Sequence, residues 1–184
     1  MAVKTCPTLK NYTAEDMCNE NKSGLGVVVY YGRKSELKAP LTATENVYST
    51  PEFEEGKGLY KVECKDEGQE IVGSSLGPNK GNKIQLDLTI EMVNQITAII
   101  GRAWGNYRDL FFIVKDGDES QILYDANRNC KMEQDGFKTT TGKAAGDDRV
   151  TTASIVLQPV NYANLYVTEP VSGGWDSLLA TVSA

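Results

Sequence analysis

The chain has 184 residues, 40% hydrophobic and 24% charged, which places it with folded globular domains and outside the disordered class. Its 19 basic and 25 acidic residues give a formal net charge of −6, so binding to nucleic acid through counterion release is disfavoured. It contains no histidine, which removes Ser-His-Asp and Cys-His nucleophiles, histidine-ligated zinc and the commonest general base near neutral pH.

Residues 1–23 are polar and uneven and read as an N-terminal arm. Met1-Ala-Val-Lys-Thr5 leads into Cys6-Pro7 without the apolar core of a signal peptide, and no run of about 18 apolar residues is present to span a bilayer. These features predict a soluble chain made in a reducing compartment. Leu25-Gly-Val-Val-Val-Tyr-Tyr31 is the first buried strand, and a polar stretch around 49–58 leads to Leu59-Tyr-Lys-Val-Glu-Cys64 and Glu70-Ile-Val72, two short strands about a charged turn.

The clearest signal lies at 83–91, where Ile84, Leu86, Leu88 and Ile90 alternate with Gln85, Asp87, Thr89 and Glu91 at a period of two. The period then changes. Val93, Ile96, Ile99, Ile100 and Ala103 or Trp104 recur at helical spacing, predicting a helix over 92–104 that ends near Gly105-Asn106. A hairpin follows at 108–125, then a short strand near 130–133, a loop at 135–148, a long strand over 149–158 and a last strand at 165–167. Gly173-Gly174 hinges off a tail carrying Trp175, Leu178 and Leu179. The expected fold is mainly β, one helix among about seven to nine strands.

Asp116-Gly-Asp118-Glu119 fails as a calcium loop, because Gln121 and Asn127 stand where Gly and Glu are needed, so it reads as a hairpin turn. The glycine-rich stretches at 73–81 and 142–146 lack phosphate-loop spacing and open no helix. Gly101 and Gly105 satisfy G-x-x-x-G, but in an amphipathic stretch with Arg102 and not in a membrane helix. Cys6, Cys18, Cys64 and Cys130 match no zinc spacing and read as free thiols, with a Cys6–Cys18 bridge as the rival reading. No catalytic, cofactor or metal residues are expected.

Two loops look alike: Gly77-Pro-Asn-Lys-Gly81-Asn-Lys83-Ile84 and Gly142-Lys-Ala-Ala-Gly146-Asp-Asp-Arg149-Val150 each set two glycines four apart, then a basic residue, then a long strand. Together with Gly24-Leu-Gly-Val-Val-Val-Tyr-Tyr-Gly32, the 83–91 strand before a helix and hairpin, and Ala163-Asn-Leu-Tyr166, they give a layout that resembles bacteriophage tail tube proteins, especially those of phages and prophages of gut Bacteroidales. The resemblance spans about 24–167. It implies a tail-tube-like β-sandwich or barrel over 24–169, with one flanking helix and extended arms at 1–23 and 170–184. Six such subunits would close a ring, and rings would stack into a tube in the virion tail, made in the host cytoplasm. The partners implied are copies of the chain, other tail or neck proteins, and genomic DNA passing through without specific binding; no membrane is involved.

On that reading Gln85, Asp87, Thr89 and Glu91 face the lumen, where acidic groups repel phosphates weakly. Lys80, Lys83, Lys143, Asp147, Asp148 and Arg149 lie at subunit interfaces, with the lysines and the arginine meeting acidic groups of a neighbour. Trp175, Leu178 and Leu179 form a docking arm for an adjacent subunit; a tail folded back on its own domain is the alternative. A head-tail connector, tail terminator or capsid accessory protein also remains open. From a different class comes a monomeric β-sandwich that binds a carbohydrate or a host surface through Trp104, Tyr107 and Tyr162.

Overall fold

The computed structural model describes residues 25–91, 93–143 and 147–181; the expected N-terminal arm, with Cys6 and Cys18, lies outside them. The chain runs β1 (Val28–Arg33), β2 (Ala43–Thr44), β3 (Val47–Tyr48), β4 (Tyr60–Glu63), β5 (Glu70–Ser75) and β6 (Asn82–Ile90), then α1 (Gln95–Asn106). It continues through β7 (Leu110–Asp116), β8 (Glu119–Leu123), β9 (Lys131–Thr140), β10 (Val150–Val160) and β11 (Tyr166–Val167), with 3-10 turns at Lys34–Glu36 and Trp175–Leu178. Among the described residues the protein is mainly β, with two sheets and one α-helix. A seven-stranded sheet has the order β2-β3-β11-β8-β7-β1-β4, and a four-stranded sheet the order β5-β6-β10-β9.

The alternation at 83–91 sets the smaller sheet. Ile84, Leu86, Leu88 and Ile90 are at most 3% exposed, while Lys83, Gln85, Asp87 and Thr89 on the opposite face are half-buried. β10 pairs antiparallel with β6 from Thr151↔Ile90 to Leu157↔Ile84, so Ala153, Ile155 and Leu157 join the same buried face. Each fully buried Leu or Ile contributes about 1.5–3 kcal/mol, and a one-residue slip would turn them all to solvent, which fixes the register.

The larger sheet is covered on both faces. Phe112 turns toward the smaller sheet, where it lies with Met132 and Ile155 around Trp104. The next residue back, Phe111, turns the other way, stacks on Phe53 and meets Tyr124 edge-on. That second face is closed by the 37–59 excursion and by the C-terminal segment, which lays Trp175 beside Tyr30.

α1 begins three residues later than the spacing predicts because Asn94 caps it. The Asn94 side chain accepts from Ile96 N at 2.9 Å and Thr97 N at 3.1 Å, while Thr97 Oγ1 accepts from Asn94 N. The helix plugs the flank of the sandwich. Trp104 is edge-on to Tyr31 and Phe112, and Gly101 sits on Phe137 of β9 so closely that a Cβ there would lie 2.4 Å from the ring. The glycine pair is thus a packing device on one side, Gly101, with open space at Gly105.

The segments at 59–64 and 70–72 are two short strands about a charged turn, as expected; β4 pairs with β1 and β5 with β6, so the charged stretch between them crosses from one sheet to the other. The expected short strand and loop at 130–148 is instead a ten-residue strand, β9, followed by a shorter loop. The pairing jumps from Phe137↔Ala153 to Met132↔Ile155, so a bulge containing Asp135 at φ 56° and Gly136 interrupts the ladder. A polar Glu133-Gln-Asp-Gly136 bulge has the composition of a turn, which hides the strand.

Candidate functional site

The outer face of the four-stranded sheet carries the residues expected to line a lumen. Gln85, Asp87 and Thr89 do share that face, opposite Val72 and Glu70 on β5 and Val156, Ser154 and Thr152 on β10. A network spans the strands: Gln85 Nε2 donates to both Asp87 oxygens at 3.1 and 3.0 Å and to Ser154 Oγ at 3.1 Å, and Ser154 Oγ donates to Asp87 Oδ1. Asp87 is half-buried here and fully partnered. Glu91 is exposed, one residue past the end of β6.

The face is balanced and not acidic. Across the ladder Lys131 pairs with Val156 and Lys138 with Thr152, which places both lysines on the outer side. Lys83 reaches Glu133 at 2.8 Å. Glu70, Asp87 and Glu133 are therefore set against Lys83, Lys131 and Lys138.

The edges of this sheet are long. β5 has six residues and β9 ten, and neither has a partner on its outer side among the described residues. All neighbouring strands in the sheet are antiparallel, so β5 and β9, three strands apart, run in opposite directions. An unpaired row of backbone donors and acceptors is a template for another strand.

The residues expected at subunit interfaces divide into groups. Lys83 is taken by Glu133, Lys65 binds Asp148 at 2.8 Å, Lys143 N donates to Asp147 Oδ2 at 2.7 Å, and an Arg149 guanidinium nitrogen donates to Val93 O at 3.2 Å. Lys83 and Arg149 thus each find an acceptor within the chain. Lys80 and Lys143 are exposed.

Trp175 is the larger correction. It is 2% exposed, packs beside Tyr30 and donates from Nε1 to Ser120 Oγ at 3.0 Å. Leu59 N donates to Leu178 O at 2.7 Å, and Ala180 N donates to Leu59 O at 2.9 Å. Gly58 permits this approach, since a Cβ there would lie 2.4 Å from Leu178 O. Residues 170–181 are therefore part of the domain's own core covering and not a free arm. A buried Trp needs a partner for its N–H, and Ser120 supplies it.

The aromatics of the rival binding reading do not form a platform. Trp104 is 4% exposed and Tyr162 is packed against the core, leaving Tyr107, over which Arg33 lies at 4.5 Å. Two clefts flank these residues, one of about 230 Å³ between Tyr31, Arg33, Glu36, Tyr60, Trp104 and Tyr107 and one of about 420 Å³ between Trp104, Tyr107, Arg108, Asn129, Lys131 and Met132. Burial, then Tyr60, pushes the Tyr31 phenol up, with the Trp104 indole opposing; Trp104 Nε1 has no hydrogen-bond partner among the described residues.

Burial pushes the Cys64 and Cys130 thiols up to about 12, so both stay protonated and unreactive near neutral pH. Among the described residues no group of three or more His, Cys, Asp or Glu could hold a metal, and no helix is long and apolar enough to cross a membrane. The Asp116–Glu119 stretch is the hairpin turn expected, with Gly117 at φ 61°. The expected short strand at 130–133 and loop at 135–148 do not reveal the β9 edge, and helical spacing alone does not tell that Ile96 and Ile99 are 60% and 61% exposed. No family model, curated protein or solved structure matches the chain.

Proposed function

We propose that this is a structural, non-enzymatic protein of a phage tail that self-assembles through the open edges of its four-stranded sheet into stacked rings, forming a tube through which DNA passes. The observation that carries the reading is a sheet with an even number of strands, all antiparallel, whose two long edges are both open among the described residues. When copies are related by rotation about a common axis, β9 of one meets β5 of the next running the opposite way. The seam is then another antiparallel pair, and closure leaves no edge.

Side chains favour the same seam. Lys131 and Lys138 on β9 and Glu70 on β5 lie on the outer face and would stand across it from one another. Six copies, the number the tail tube resemblance implies, would join about 24 strands, and barrels well below that size already leave an aqueous channel. The wall would be polar and charge-balanced, with Lys83 neutralised by Glu133 and Asp87 held by Gln85 and Ser154. A conduit for DNA must not grip phosphates, and paired ions meet that need without net repulsion. Tail and neck proteins would be the partners at the tube ends, and the virion tail its location.

Sedimentation velocity with negative-stain microscopy of the purified chain tests the proposal. Rings or tubes are expected as concentration rises. A monomer at every concentration and salt condition would overturn it.

A further inference from the structure

Ile96 and Ile99 are three residues apart on α1, so they stand one above the other and form a contiguous apolar strip in solvent. Single exposed isoleucines are ordinary, whereas an apolar strip beside an open sheet edge marks a contact surface. α1 packs against β9, with Gly101 on Phe137, so the strip and the open β9 edge share one flank of the sandwich.

The opposite flank, beyond β5, carries a matching surface in the same layer. The 162–164 loop covers β5 from the core side, with Ala163 against Gly73. Asn46 Nδ2 donates to Asn164 O, which brings the β2–β3 hairpin alongside. Tyr48 turns its ring onto Tyr124, on the face of the larger sheet that points away from α1. Alternation therefore puts Val47 on the face toward the smaller sheet's layer, where it is 41% exposed.

Each flank thus presents an open strand edge with an apolar surface above it in the same layer. At outer-face positions the edges carry opposite charges, Lys131 and Lys138 on β9 and Glu70 on β5, with Glu133 of β9 taken by Lys83. We infer that the Ile96 and Ile99 face of α1 docks onto a second copy of this chain, against Val47 and the 162–164 loop beside that copy's β5. The inference rests on the ring reading above. It gives the seam a second layer: strand pairing sets the register, and the helix contact removes apolar surface from water on the outside of the pairing. The contact is head-to-tail, so it propagates around a ring instead of stopping at a dimer.

The full chain, the Ile96→Asp/Ile99→Asp variant and a Val47→Asp variant on the opposite flank are compared by sedimentation velocity across a concentration series, with thermal melts by circular dichroism. Both variants are expected to melt with the wild type, and to raise the concentration at which assembly begins by about tenfold or more. Assembly of both variants at the wild-type concentration overturns the docking contact and leaves the ring reading standing. A wild type that stays monomeric throughout overturns both. A double variant that assembles normally but melts several degrees lower shows that the strip serves the fold of the single chain, and also overturns the inference.

Discussion

The two sheets of this protein treat their edges and faces in opposite ways. The seven-stranded sheet ends in β2, with two residues, and β4, with four, and both its faces are covered. The four-stranded sheet ends in strands of six and ten residues, and among the described residues one of its faces is half-buried and carries no covering layer. Proteins blunt exposed edges by shortening or covering them, and this chain does so in one sheet only. Both sheets bury apolar faces in the core, and the difference lies in the long edges of the smaller one, which the proposed ring would use as seams.

The largest loss is expected at Trp175. It belongs to the covering of the larger sheet, so Trp175→Ala should cost about 3–5 kcal/mol of subunit stability, read as a fall in Tm and in the denaturant midpoint. Deleting the residues after Val171 should be at least as damaging, because it also uncovers Tyr30 and removes the strand-like contact at Leu59. A truncated chain that melts like the wild type would mean the segment covers nothing.

A smaller effect is expected where α1 meets β9. Gly101→Val forces atoms into the Phe137 ring, and overpacking of this kind costs about 1–3 kcal/mol. The loss should appear as faster amide exchange in α1 and β9 with little change in β7 and β8. Uniform loosening would show that the two sheets are not separable in this way.

The smallest effect lies at the other end of the larger sheet. Burial would raise the Asp109 carboxyl, but hydrogen bonds from Ser35 and Arg33, with the nearby guanidinium charge, outweigh it and hold the group below the usual carboxylate range. A depressed folded-state value gives stability that is present at neutral pH and lost as pH falls from the usual carboxylate range through the folded value. Asp109→Asn should therefore cost about 1 kcal/mol or less at pH 7, as partly exposed ion pairs do. The gap to the wild type should close in acid; a gap that widened there would refute the sign.

The parts of this fold legible in the sequence are those where a single period governs a whole element. At β6 alternation fixes both faces, and the buried set Ile84, Leu86, Leu88 and Ile90 follows from it directly. The helix was legible in place but not in facing, because its isoleucines satisfy a helical period whether they point in or out. Gly101, which selects the packed side, acts through contact with Phe137, a residue distant in sequence. β9 was hidden by its bulge, and Trp175 by Gly173-Gly174, which looks like a hinge but lets the chain turn back onto Ser120. Pairing of β4 and β5 with different sheets is likewise a tertiary fact that the charged turn between them does not encode. The acidic pattern of β6 gave half of the outer face; Lys131 and Lys138, which balance it, come from the strand the sequence concealed.

If copies of the chain join through the long edges of the smaller sheet, hydrogen–deuterium exchange followed by mass spectrometry, on dilute and concentrated protein, will show where they meet. Peptides covering 70–75 and 131–140 should exchange more slowly as the protein assembles, with peptides covering 43–48 and 60–63 unchanged. Equal exchange at 70–75 and 131–140 in both conditions, or protection that appears at 43–48 and 60–63 instead, would contradict joining through those edges.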